Sequence, residues 1–212
     1  MLIRHGRTAA NRAGVFQGSM DVTLDEFGVR QAQAVCARVA AEYPVDHIVC
    51  STLSRARATA APLALLLNLD PEYEPDLQEM SFGEYEGKTW AEIERLDPAF
   101  VARLEDYADE SVTWPGGESR AGFHHRIWQA MERVVHHHHG RRVAIVSHGG
   151  VIGAFMALLR GQVPGDPSVY GLRNCSITYL HVRDSHTEVH RFNDVDHLSG
   201  IEEFGETREI DL

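Results

Sequence analysis

The chain has 212 residues, 43% of them hydrophobic, and 31 acidic against 20 basic side chains give it a formal charge of −11. That length supports one substantial core, so a single domain over residues 1–212 is expected, while the acidic balance argues against nucleic acid or an anionic membrane as a partner, since both need a basic footprint. The longest apolar stretch, Leu63–Leu67, falls far short of the roughly 18 to 20 residues of a bilayer span, the opening Met1-Leu2-Ile3-Arg4 lacks the pattern of a secretory leader, and the scattered Cys36, Cys50 and Cys175, free of C-x-x-C spacing, suit a reducing cytoplasm.

Leu2–Arg4 reads as an opening strand, followed by a loop rich in Gly and Asn that reaches Thr23-Leu24-Asp25-Glu26, which has the form of a capping box. The helix after it places Ala32, Val35, Cys36 and Val39 at intervals of three and four residues, an apolar face for packing on a sheet, and ends near Pro44. His47–Cys50 reads as a buried strand leading through Ser51-Thr52-Leu53-Ser54 into an Ala- and Leu-rich helix to about Leu67. A short extended piece at Tyr73-Glu74-Pro75 and an irregular loop from Leu77 to Gly87 precede a second capping-box pattern, Thr89-Trp90-Ala91-Glu92, and a peripheral helical region reaching Asp109.

Trp114-Pro115-Gly116-Gly117-Glu118-Ser119 is a turn whose Ser119 can cap a helix to about His136, with Gly140 ending it. Val143–Ser147 is the clearest strand, and His148-Gly149-Gly150 opens an apolar helix to Leu159. After the Pro164–Pro167 loop, Ser176–Val182 and Glu188–Phe192 alternate around Asp184-Ser185-His186 as a hairpin at a sheet edge, and the acidic tail from Ser199 is expected to be mobile. Strands alternating with helices define an α/β class with a mostly parallel sheet.

In such sheets ligands collect beyond the carboxyl ends of the strands, where the following helices present unpaired amides to anions. Three of these ends carry Arg4-His5-Gly6, Ser51–Arg55 and Ser147-His148-Gly149, so two histidines and two arginines are expected in one crevice. A lone strand-end histidine is usually an ordinary core or surface residue, and it is the joint placement that points to a functional site.

Leu2-Ile3-Arg4-His5-Gly6-Arg7-Thr8 with Asn11, Phe16-Gln17-Gly18, Ser51-x-Leu53-x-Arg55-Ala56-x-x-Thr59-Ala60, Leu77-x-Glu79 with Phe82-Gly83-x-x-Glu86-Gly87, Pro115-Gly116-Gly117-Glu118-Ser119 and Ser147-His148-Gly149-Gly150 resemble, in order, the motifs of the histidine phosphatase superfamily, which includes the phosphoglycerate mutases. Asn193 and His197-Leu198 extend the resemblance towards the C-terminus. It implies a three-layer α/β/α sandwich of the phosphoglycerate mutase type and a phosphomonoester hydrolase that works without a cofactor or metal on a small phosphorylated metabolite.

The resemblance gives His5 the role of nucleophile through a phosphohistidine, Arg4 and Arg55 that of a phosphate clamp, and Glu79 that of general acid and then base. It sets His148 and the Gly149 amide opposite, to stabilise charge on the transferred group. Arg7, Asn11, Gln17 and Gly18 fall where family members contact phosphate or the group beyond it, although turn chemistry explains Asn11 and Gly18 as well. Glu118 and Ser119 read as helix-capping, and Glu86 and Gly87 as structural.

Arg7, where mutases commonly carry Glu, and Phe82–Gly87 look more like the phosphatase branches. The rivals are a cofactor-dependent phosphoglycerate mutase and a catalytically weak phosphate-binding module, the latter at odds with the presence of His5, Glu79 and His148 together. A homodimer is left open. The first strand has only Leu2 and Ile3 before Arg4, where the family usually has a few more apolar residues; if that shortness is native, the strand beneath His5 is expected to be less firmly held. The tract His136–His139 has no thiolate or carboxylate framework of ligand spacing around it and reads as a solvated helix end rather than a metal site.

Overall fold

The structure is a computed structural model and describes residues 1–164, 171–183 and 186–201, so that most of the acidic tail, the Asp184-Ser185 tip of the hairpin and the Pro167 end of its preceding loop lie outside the described residues. Among the described residues six strands, β1 (Leu2–Arg4), β2 (His47–Ser51), β3 (Glu72–Glu74), β4 (Val143–Ser147), β5 (Ile177–Arg183) and β6 (His186–Asp194), form one sheet in the order β3-β2-β4-β1-β5-β6. The first four neighbours run parallel, and β5 and β6 complete one edge as the expected antiparallel hairpin.

Alternation along the central strands feeds two cores. Leu2, Val49 and Ile145 turn towards α6 (Arg120–His137) and α7 (Gly149–Leu159), where Phe123, Ile127, Ile152 and Met156 bury them. Ile3, Ile48, Cys50, Ala144 and Val146 turn the other way, onto Val35, Val39 and Leu63 of α2 (Glu26–Glu42) and α3 (Ser54–Leu67). Helices on both faces of a mostly parallel sheet make the three-layer sandwich. No helix among the described residues is long and apolar enough to cross a membrane.

The short first strand is not loosely held. β1 lies between β4 and β5 with both edges hydrogen-bonded, and the chain beyond it continues the pairing, with the His5 amide donating to the Ser147 carbonyl at 2.9 Å and the Cys175 amide reaching the Arg4 carbonyl at 3.1 Å. A central position in the sheet compensates for few apolar residues.

Other differences are local. The loop after β1 contains a helical turn, α1 (Ala9–Arg12), because Thr8 and Asn11 form a reciprocal capping box. α2 begins at Glu26 with Asp25 as its cap rather than Thr23, since the Asp25 carboxylate is oriented by Arg7 at 2.8 Å while accepting from the Gly28 amide at 2.7 Å. The peripheral region divides into α4 (Trp90–Leu96), whose Thr89–Glu92 capping box is present, and α5 (Pro98–Leu104), split where Asp97 caps the second helix and Pro98 occupies its first turn. These two helices enclose a third cluster, Tyr85, Ile93, Phe100, Leu104 and Trp114, beside the mouth of the sheet's carboxyl end.

α2 reaches the His5 segment through glycine against glycine. A β-carbon on Gly28 would stand 2.0 Å from the Arg7 carbonyl oxygen, and one on Gly6 would stand 2.5 Å from the Gly28 oxygen. Both obstacles are backbone, so neither can swing aside. Gly28→Ala is expected to lower the free energy of unfolding by about 1 to 3 kcal/mol, the usual range for overpacking, measured by urea denaturation; unchanged stability would show that α2 does not need this approach.

Candidate active site

The carboxyl ends of β1, β2 and β4 converge on a cavity of about 540 Å³ whose floor holds Arg4, His5, Arg55, Glu79 and Gly149. His5 follows β1 directly and is 3% exposed. Its Nδ1 lies 2.7 Å from the Gly6 carbonyl oxygen. A carbonyl can only accept, so Nδ1 carries the proton, and in the neutral ring Nε2 keeps its lone pair. Burial, then the guanidinium groups of Arg55 and Arg4, hold His5 well below the usual imidazole value.

Arg55, in the first turn of α3, is 1% exposed and is held through three of the five N–H groups a guanidinium carries. Its Nη1 and Nη2 donate to the carbonyls of Met20 at 2.7 Å and Gly18 at 2.8 Å, and its Nε donates to His148 Nδ1 at 3.2 Å. Gly18 tolerates this wrap because it sits at φ +52°, and a β-carbon there would stand 2.2 Å from Glu86 Oε1. Glu86 in turn accepts from the amides of Ser19 and Phe82, so it staples the loop, as its structural reading implied.

His148 caps α7 and is completely buried. With Nδ1 accepting from Arg55, its proton is on Nε2, which donates to Ser51 Oγ at 2.7 Å. Its ring centroid is 5.1 Å from that of His5. Burial, then Arg55, His5 and Arg4, also hold it well below the ordinary histidine value. The ring thus backs Arg55 and flanks His5 instead of opening onto the cavity, which is not what the motif alone implied.

Glu79 stands at the amino end of α7, its Oε2 accepting from the Gly150 amide and its Oε1 from the Met80 amide, each at 3.0 Å. The dock exists only because residue 150 is glycine, since a β-carbon would lie 2.4 Å from Glu79 Oε1. Arg126 of α6, which carries no motif signal, secures the segment from behind by donating to the carbonyls of Asp76 at 2.7 Å and Gln78 at 2.9 Å while pairing with both oxygens of Glu118. Arg4 rests against Gly149, where an added β-carbon would approach its Nε to 3.2 Å, and donates through Nη1 to the Leu172 carbonyl.

The outer predicted contacts divide. Asn11 and Gln17 line the cavity, joined through Thr8, whose hydroxyl donates to Gln17 Oε1 at 2.8 Å. Arg7 does not line it: its Nε is paired with Asp25 and its guanidinium lies 4.5 Å from the centre of the Phe27 ring. Asn174, unsignalled in the sequence, lines the cavity and donates to the His5 carbonyl at 3.0 Å. Asn193 and His197 hold that loop, the latter meeting the Cys175 carbonyl at 3.0 Å. Beyond the cationic floor the wall is aromatic, built from Phe16, Phe82, Trp90 and Trp114, with His124 paired to Glu110 at 3.0 Å at the far rim.

Residues 1–195 match the family model described as the histidine phosphatase superfamily (branch 1), and the chain belongs to that family. It is 33% identical over 204 residues, covering 95% of this chain and 83% of the relative, to the metal-independent phosphoserine phosphatase of Arabidopsis thaliana. Among solved structures it resembles a histidine-to-alanine mutant of phosphoserine phosphatase from Entamoeba histolytica in complex with phosphoserine, with a TM-score of 0.82, 27% identity and coverage of 93% of this chain and 97% of that one. The α-ribazole phosphatase of Shigella flexneri gives a TM-score of 0.80 at 26% identity, covering 91% and 95%.

The hydrogen bonds assign opposite tautomers to the two histidines, Nδ1–H for His5 and Nε2–H for His148. Long-range 1H–15N NMR of histidine-labelled protein is expected to show both tautomers and no titration of either ring as the pH falls through about 6.5, whereas exposed histidines protonate there. A midpoint near the ordinary value for His5 would overturn the reading of a neutral ring beside two cations.

Proposed function

We propose that the chain hydrolyses phosphomonoesters by way of a phosphohistidine on His5. The observation that carries this reading is the neutral Nε2 of a buried imidazole opening, beside Arg4 and Arg55, onto a cavity that also holds the Glu79 carboxyl. The arginines hold the phosphoryl oxygens of the ester in ground and transition state alike. Nε2 attacks phosphorus, the ester P–O bond breaks, and Glu79 gives its proton to the departing oxygen. The Gly6 carbonyl, already accepting from Nδ1–H, steadies the positive charge that the phosphorylated ring acquires.

Water then attacks phosphorus from the cavity side. Glu79 takes its proton, the P–N bond breaks and the electron pair returns to Nε2. The Gly149 amide, one of the leading N–H groups of α7 without an intrahelical acceptor, is oriented for the transferred oxygens. His148 contributes by holding Arg55 and flanking His5. Arg7 serves the scaffold through Asp25 rather than the substrate.

The substrate is a small phosphorylated metabolite whose alcohol lies against the aromatic wall. Phosphoserine, named for two of the similar proteins, is the first compound to test. Hydrolysis is favoured over mutase action because a bisphosphorylated intermediate needs a second cationic cradle. The far wall supplies Phe16, Phe82, Trp90 and Trp114, and its Arg120 is spent on the carbonyls of Leu104, Asp106 and Asp109.

With 32P-labelled phosphomonoester, wild type is expected to pass through an acid-labile phosphoenzyme that His5→Ala abolishes. Glu79→Gln should lower kcat by about 100- to 10,000-fold and let the phosphoenzyme accumulate when the leaving group is a good one. Label retained in His5→Ala would end the phosphohistidine reading at that residue. Given 3-phosphoglycerate and a bisphosphoglycerate primer, the protein is expected to release inorganic phosphate at least as fast as it isomerises the ester; rapid isomerisation with little free phosphate would make it a mutase.

A further inference from the structure

At the opposite end of the same sheet, three side chains from separate elements meet without a role in the phosphate site. His47 is the first residue of β2, Glu72 the first of β3, and His138 the residue capping the C-terminus of α6. One ligand atom from each, an imidazole nitrogen or a carboxylate oxygen, lies within 4.8 Å of those from the other two. We propose that His47, Glu72 and His138 form a binding site for one divalent first-row transition ion of the zinc class, which ties the amino ends of β2 and β3 to the end of α6.

The geometry of the pairs carries the argument. His138 Nε2 is 3.4 Å from Glu72 Oε2, and His47 Nδ1 is 3.5 Å from Glu72 Oε1. Both are longer than the roughly 2.7 to 2.9 Å of a charge-assisted hydrogen bond. Each imidazole faces a different oxygen of the one carboxylate, at a separation close to the roughly 3.3 to 3.4 Å between neighbouring ligands of a metal bound at about 2.0 to 2.1 Å. The two imidazoles stand 4.6 Å apart between centroids, with one carboxylate serving both.

The backbone explains why the three meet. Glu72 pairs in register with Val49, and His47 lies two residues before Val49 on the same face of β2, the face covered by α6. The last residues of α6 descend onto that face, and the His138 side chain is 6% exposed there, whereas those of His47 and Glu72 are 39% and 50% exposed and open to an arriving ion. A cleft of about 330 Å³, bordered by Glu74, Arg133, His136 and His137, is lined by two of the three, Glu72 and His138. Two imidazoles and a carboxylate are a ligand set suited to Zn²⁺, with a fourth position left for water or a further side chain. The carboxylate that the histidine tract lacks in its own sequence neighbourhood thus arrives from 66 residues away through the fold.

Ser51, which contacts His148, ends the strand that His47 begins, so the two sites are about 13 Å apart along β2. The ion is therefore a clamp on the scaffold, with no part in the phosphate chemistry.

The test uses the full chain without an added affinity tag, stripped with a chelator, and titrates it with Co²⁺ by visible absorption and with Zn²⁺ by competition against a chromophoric chelator. Wild type is expected to bind one equivalent with a tetrahedral cobalt spectrum and to gain thermal stability. His47→Gln and Glu72→Gln, both at partly exposed positions, should keep the metal-free melting temperature and phosphatase activity. Each should weaken binding by more than the roughly 10- to 100-fold that loss of even an outer partner costs. A triple variant, His136→Gln, His137→Gln and His139→Gln, should retain the site.

The proposal fails if wild type binds no stoichiometric ion. It fails equally if the triple variant abolishes binding while Glu72→Gln leaves it intact, which would locate the metal on the solvated tract. His138→Gln adds to the comparison where it folds, and the other two ligand variants decide the matter where it does not.

Discussion

A neutral imidazole has to stand beside two permanent cations with one nitrogen lone pair facing a cavity, and the carboxyl end of the sheet is arranged around that requirement. The Gly6 carbonyl fixes the His5 proton on Nδ1, and burial with Arg55 and Arg4 opposes a second proton. In the proposed reaction the same guanidinium groups that keep the ring neutral also attract the phosphoryl dianion, so one pair of charges serves both the nucleophile and its substrate. Moving Arg55 alone would disturb both tasks, which accounts for the three separate acceptors, Gly18, Met20 and His148, that hold it.

Each element of this arrangement is supported from outside the cavity, and several of the supports are absences of side chain. Gly18, Gly28 and Gly150 stand where a single β-carbon would collide with Glu86, with the Arg7 backbone or with the Glu79 carboxylate. Others are partly buried ion pairs set well back: Arg7 with Asp25 locks the start of α2 against the His5 segment, and Arg126 with Glu118 anchors the stretch of chain that delivers Glu79. Positioning to fractions of an ångström matters because phosphoryl transfer draws most of its acceleration from alignment and preorganised charge. A central strand only three residues long meets that demand because neighbours on both sides supply its hydrogen bonds.

Much of the fold was legible locally. Val143–Ser147 and the strand beginning at His47 are short β-rich runs with the right flanks, and the Thr89–Glu92 capping box and the Ser119 cap were read where they stand. Thr23 and Asp25 are both good caps for α2, and Asp25 takes the role because it is held by Arg7, 18 residues earlier, a partner that no local pattern reveals. The same ion pair explains why Arg7 supports the scaffold, whereas its place in the Arg4–Thr8 motif pointed to the phosphate. Asn174 and Arg126 lack any periodic or motif signal, and their importance comes wholly from which carbonyls they reach across the fold.

The sequence by itself therefore determined the α/β class, the three strand ends that bear His5, Arg55 and His148, and the phosphate chemistry those residues share, because each is written in a few adjacent residues. Tertiary structure alone decided which way those groups face: His5 towards the cavity, His148 behind Arg55, Glu79 onto the Gly150 amide, and an aromatic wall opposite them. It alone also joined His47, Glu72 and His138 at the far end of the sheet. The physical reason is that a side chain settles where its charge and hydrogen bonds are satisfied: His5 finds one partner in the adjacent Gly6, but those that place Arg55 against His148, Glu79 on Gly150 and Glu72 between two histidines lie tens of residues away along the chain.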